Sequence, residues 1–187
     1  MINGQRLVGE KMEHIRFPIG KFTPTHHPTA EQRNEWIEEI SQIVKSLRFK
    51  VQHLSSEQLS TPYRPGGWTI QQIIHHMVDN DMNAYIRFKR ALTEDTPTAS
   101  SYREDLWADG NDYRISIEPT LNLLDLLHSR FVYLLRSLSV KEFDKTFISP
   151  SHGVMSLEVA IERFTWHSRH HIAQIESLIE RLGWKNE

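Results

Sequence analysis

Four stretches of this chain repeat apolar residues every three or four positions, and no region is rich in the alternation that marks strands. A stripe of that period belongs to a helix with one buried face. Four such faces must cover one another, so the chain is constrained to helices packed on helices. The first stripe is Trp36, Ile40, Ile43, Val44, Leu47, Val51 and Leu54, and the second is Ile70, Ile73, Ile74, Met77, Tyr85, Phe88 and Leu92. The third is Leu121, Leu124, Leu127, Phe131, Leu134, Leu135 and Leu138, and the fourth includes Val159, Ala160, Phe164, Ile172, Ile175, Leu178 and Leu182.

The ends of these helices are marked chemically. Thr29 with Gln32, and Thr69 with Gln72, have the spacing of a capping box, in which each side chain satisfies the other's backbone N–H. The third helix is entered through Ser116 to Pro119, Ser156 caps the fourth, and Gly183 is placed to end it. Ser55 with Gln58 and Ser139 with Glu142 predict two short extra helices. Ser149-Pro150-Ser151-His152-Gly153 predicts a turn between two short extended pieces. Residues 1–28 hold Phe17-Pro18-Ile19-Gly20 and no sustained period, as an extended N-terminal arm would. Residues 93–116 form a long link, enough for the next helix to run parallel to the last. The expectation is an all-α four-helix bundle with short extra helices, in a single domain over 1–187.

Charge narrows the function. Lys plus Arg is 22 against 24 Asp plus Glu, so no basic excess points to nucleic acid and no charge block points to a membrane surface. No apolar run is long enough for a signal peptide or a membrane span, and a cytoplasmic protein is expected. Cysteine is absent, so a bound metal must use His, Asp or Glu. The compositional excess is 11 His.

His167 and His171 lie one turn apart on the fourth helix and face the same way. Two imidazoles so spaced can hold one metal ion if a third ligand arrives from elsewhere. His76 on the second helix is that candidate, in a polar stripe with Asn80, Asn83 and Arg87. His75 and His170 point about 100° away on their helices. On spacing alone, a metal site and a set of satisfied surface histidines weigh equally, and the polar stripe reads as a wet helix face as readily as a cleft wall.

Two segments carry a resemblance. Gly66-Gly67-Trp68-Thr69-Ile70-Gln71-Gln72-Ile73-Ile74-His75-His76-Met77 resembles the first signature of DinB-like proteins, and Trp166-His167-Ser168-Arg169-His170-His171-Ile172-Ala173-Gln174 resembles the second. Phe17-Pro18-Ile19-Gly20, Thr61-Pro62-Tyr63-Arg64, the run Asn83 to Lys89, and Trp184 are similar to the YfiT subgroup, also described as bacillithiol S-transferase-like. The resemblance implies up-up-down-down connectivity, a homodimer, and one divalent metal (Zn2+ or Ni2+) held by His76, His167 and His171. Members are called metal-dependent hydrolases or thiol transferases. Arg169 stands where many members have another His.

Two chemistries follow from such a site. A metal can bind the sulfur of a small thiol as thiolate, which attacks an electrophile. It can also lower the pKa of a bound water, which attacks an ester or amide. Asn83 and Arg87 are the expected substrate or anion contacts in either case. A metal that only stabilises the bundle is the third expectation.

Overall fold

Hydroxyl caps set where the helices begin. In this computed structural model, which describes residues 12–184, Thr29 and Thr69 both close full capping boxes, on Gln32 and Gln72. They open α1, Ala30–Val51, and α2, Ile70–Thr93. Helix α3, Ile117–Ser137, starts after Ser116, whose side chain makes no cap bond. Helix α4, Leu157–Leu182, starts with the Ser156 hydroxyl accepting from the Val159 N–H. It ends at Gly183, whose φ of 66° is the left-handed conformation that a residue without Cβ adopts most easily. The expected short helices are Ser56–Leu59 and Val140–Phe143, each with its capping box.

Side-chain bonds between helices give their directions. Arg48, late in α1, bonds Glu118 and Asn122, early in α3, while Arg136 at the far end of α3 bonds Glu38, so α1 and α3 are antiparallel. Gln71, His75 and Asp81 of α2 meet Ile115, Thr120 and His128 in rising order, so α2 and α3 are parallel. Arg33, Glu39 and Lys50 pair in the same rising order with Glu158, Arg169 and Glu176, so α1 and α4 are parallel. His76 meets His167 while Tyr63, ahead of α2, meets Arg181, which makes α2 and α4 antiparallel.

The four-helix bundle is present, but its helices run up-down-down-up rather than in the up-up-down-down order that the resemblance implied. The reason is the link between Thr93 and Ile117. Its start is tied to the hairpin by Ala99 N–H donating to Ile148 O and Ile148 N–H to Pro97 O, both at 2.9 Å. Its end is tied to the first turn of α2, where Gln71 donates to the Tyr113 and Ile115 carbonyls and Gln72 to that of Ala108. The link therefore travels back along the bundle, and α3 starts beside the start of α2. It carries two single turns, Glu104–Trp107 and the 3-10 turn Asn111–Arg114.

Strands β1, Thr146–Ser149, and β2, Gly153–Ser156, form the expected hairpin with Phe147 opposite Met155. Helices α1 and α2 each pack on both α3 and α4. The core between them includes Ile40, Leu47, Ile73, Ile74, Phe88, Leu124, Phe131 and Ile175, all essentially without solvent contact. Residues 1–11 of the expected extended arm lie outside the described residues. Residues 12–16 of that arm are helical rather than extended, because the buried Ile15 packs into the core and is best presented by a turn. Residues 21–25 have no regular structure. Among the described residues, no helix is long and apolar enough to cross a membrane.

Candidate metal centre

Helix α2 carries His76 and α4 carries His167 and His171, and the antiparallel packing brings the three rings together. His167 Nε2 lies 3.2 Å from His76 Nε2 and 3.1 Å from His171 Nε2. A neutral imidazole nitrogen has one in-plane site, either a proton or a lone pair. His167 Nε2 therefore cannot serve both neighbours by hydrogen bonding, whereas a cation at the centre accepts a lone pair from each. Tetrahedral ligands at zinc-like bond lengths stand about 3.4 Å apart, close to the separations found here. The donor set fits a borderline divalent ion.

Each ring is in the form that such an ion needs. Burial pushes His76 down to about 4. Burial first, and then the neighbouring imidazoles, hold His167 and His171 well below the ordinary histidine range. Neutral rings bind metal and protonated ones do not. Gln174, three residues beyond His171 on the same face, fixes one tautomer. Its Nε2 donates to the Arg16 carbonyl at 3.0 Å and to His170 Nε2 at 2.9 Å, so its Oε1 faces His171 Nδ1, which donates across 2.9 Å. With the proton on Nδ1, the lone pair of His171 is on Nε2 and points to the other two rings. Trp68, just before the cap of α2, lays its ring 4.5 Å from that of His76.

The three rings lie along a cleft of about 760 Å³, walled by α2, α4, the 94–116 link and the hairpin turn. Of the polar stripe on α2, Asn80 and Arg87 line this cleft. Asn83 does not: it bonds its own helix at the Asp79 carbonyl and lines a separate small pocket. Asp79 accepts the Tyr113 hydroxyl at 2.6 Å. The neighbouring histidines have other work. His75 accepts from Thr120 and donates to the Ile115 carbonyl, tying α2 to α3. His170 stacks on Trp166 and is held by Gln174. His128 is buried against Asp81. Arg169 points outward to Glu39.

Sequence reasoning passed over several cleft residues. Gln174 and Arg163 had a signal, three positions after His171 and four before His167 on the same helix face. Tyr102 and His152 sit on the link and the hairpin turn, where no period predicts what faces inward.

A family model described as the DinB superfamily matches residues 39–175. A protein of Bacillus cereus strain B4264 named "Putative metal-dependent hydrolase" is 46% identical over 173 residues, covering 92% of this chain and all of that one. A protein of Bacillus mycoides strain KBAB4 with the same description is also 46% identical over 173 residues and likewise covers 92% of this chain and all of that one. Among solved structures, YfiT from Bacillus subtilis, described as "a probable metal-dependent hydrolase with an unusual four-helix bundle topology", is 39% identical with a TM-score of 0.90, over 92% of this chain and 99% of that one. A second, the four-helix bundle protein TT2238, is 18% identical with a TM-score of 0.55 over 75% of this chain and 94% of that one, and shares the fold. On the span of the family match and the identity of these relatives, the chain belongs to the DinB superfamily.

Proposed function

We propose that this metal-dependent enzyme holds one divalent ion, Zn2+ or Ni2+, on His76, His167 and His171, and transfers a low-molecular-weight thiol to an electrophilic substrate. The observation that carries the metal site is the meeting of three neutral imidazoles beside a cleft, with His167 Nε2 at 3.2 Å from His76 Nε2 and 3.1 Å from His171 Nε2. An ion there supplies Lewis acidity, which lowers the pKa of a thiol or water in its free coordination position. Three features of the chain support the thiol. It has no cysteine of its own, so a sulfur nucleophile must be brought in. The cleft, at about 760 Å³, is of the size that takes a drug-sized molecule or two smaller ones. Trp68, packed against His76, gives the cleft an apolar wall beside the histidine cluster.

Hydrolysis is the second reading, favoured by the names of the relatives. It needs a proton acceptor for water. Glu104 lines the cleft and, unlike Asp105, has no ion-pair partner among the described residues, which suits that role.

The test begins with the metal content of purified wild type and His167→Ala. About one ion per chain in the wild type and a tenfold loss in the variant is expected, and equal content overturns the site. Metal-loaded protein is then given a thiol with an electrophilic dye, and separately an activated ester without thiol. Thiol-dependent consumption of the dye supports transfer. Ester turnover alone replaces it with hydrolysis. Neither activity, with metal removal lowering only the Tm, leaves a structural metal.

A further inference from the structure

Two half-buried arginines in the cleft keep an open N–H edge and have no carboxylate partner among the described residues. Arg87 of α2 makes one long bond, 3.4 Å to the Ser100 carbonyl, and its Nε is buried without any partner. Arg163 of α4 makes no hydrogen bond or ion pair among the described residues and only covers the Phe22 ring, at 5.1 Å. The other cleft arginines differ: Arg16 is exposed to solvent and lies over the Phe17 ring at 5.3 Å. Arg103 is paired with Asp105 at 2.6 Å, and Arg64 is held by the Tyr63 hydroxyl and the Pro65 carbonyl.

Arg87, Arg163 and His152 line the same cleft. His152, on the hairpin turn, is lowered in pKa by burial and by the fields of both arginines, so three basic groups from three elements surround one part of the cleft. Burial disfavours the charge of each guanidinium, yet an arginine stays charged. Of the carboxylates lining the cleft, Asp105 is taken by Arg103, and Glu104 lies beside Tyr102. A partly desolvated guanidinium without an anionic partner costs stability that a bound anion would return. A guanidinium with an open N–H edge matches carboxylate or phosphate oxygens.

We propose that Arg87, Arg163 and His152 form an anion subsite that binds a carboxylate or phosphate group on the substrate that reacts at the histidine cluster. The subsite's own existence needs nothing else, while its use by a reacting substrate rests on the metal-dependent function proposed above. Arg163 is one helical turn from His167, about 6 Å along the axis, and Arg87 is three turns from His76, about 16 Å. The substrate class is thus a small molecule whose anionic group lies on the order of 10 Å from its reacting atom. In this assignment Arg87 and Arg163 decide which substrates enter and how they lie.

The test is titration calorimetry of the metal-loaded full chain with inorganic phosphate and, separately, succinate. Wild type, Arg87→Gln, Arg163→Gln, the double variant, Arg163→Lys and the surface control Arg136→Gln are compared, each checked for metal content and helical circular dichroism. The expected result is binding in wild type and Arg136→Gln, at least tenfold weakening in the double variant, and partial recovery in Arg163→Lys relative to Arg163→Gln. Preference between the two probes tells a phosphate subsite from a carboxylate one. No binding to wild type, binding to the double variant within twofold of wild type, or equal weakening in Arg136→Gln overturns the proposal. Should the double variant fail to fold, the single variants decide by the same criteria. His167→Ala separates the two proposals: anion binding that survives loss of metal upholds the subsite alone, and anion binding lost only with the metal assigns it to the ion and overturns the subsite.

Discussion

Replacing Gln174 by Met and by Glu separates two consequences of one side chain. Gln174 is 3% exposed and makes three bonds, to His171 Nδ1, the Arg16 carbonyl and His170 Nε2. Met fills similar space and makes none of them. It strands the His171 N–H and the Arg16 carbonyl, and each buried group left unpaired costs about 1–3 kcal/mol. Water entering from the adjacent cleft relieves part of this, so Gln174→Met should lose about 3 kcal/mol of stability. The variant also frees the His171 ring to turn and to place its proton on Nε2. Loss of a bond that orients a ligating histidine costs about 10–100-fold in metal affinity, or roughly 1.4–2.7 kcal/mol. Glu keeps an acceptor opposite His171 Nδ1, and a stronger one, while losing the donors to Arg16 and His170. Gln174→Glu should therefore bind metal at least as tightly as wild type while remaining destabilised. Metal affinity is measured by competition with a chromophoric chelator at pH 7.5, and stability by urea unfolding of the metal-free proteins. Metal affinity of Gln174→Met within twofold of wild type, or of Gln174→Glu as weak as Gln174→Met, refutes the reasoning.

Two further outcomes are expected. In the folded, metal-free protein His76 is pushed down to about 4 from an ordinary 6.5. Between those values the unfolded chain binds this proton and the folded one does not. Its contribution is thus fully present above pH 6.5 and is lost as pH falls through 4, to the extent of about 3 kcal/mol. Urea midpoints of metal-free wild type should fall by more than those of His76→Asn over this window, and parallel curves would show that the burial of this ring does not govern it. Asp81 and His128 form a buried pair at 2.6 Å, fully away from solvent on the Asp81 side. Asp81→Ala or His128→Ala alone should cost about 3–5 kcal/mol by stranding the partner, and the Asp81→Leu/His128→Leu double variant should cost less than either. Additive losses in denaturant would mean that the two groups are not coupled.

Helix positions were legible because their signals are local. Thr29, Thr69, Ser156 and Gly183 act on residues within one turn, so reading them needs only a few neighbours, and the structure uses all four as expected. The apolar stripes were legible for the same reason, since period alone decides which face is buried. The joining of His167 to His171 also follows from helix geometry. The joining of both to His76 does not, because 91 residues separate His76 from His167 and only the antiparallel packing of α2 on α4 closes that gap. The helix directions depended on the path of the 94–116 link. That path is fixed by bonds to the hairpin and to Gln71 and Gln72, pairings between distant segments that no local pattern encodes. Asn83 and Arg87 looked alike on the sequence, yet Asn83 turned to its own backbone while Arg87 stayed in the cleft. A short polar side chain can satisfy itself on the helix that carries it. A long cationic one reaches past the helix, and what it meets there is decided by the tertiary fold.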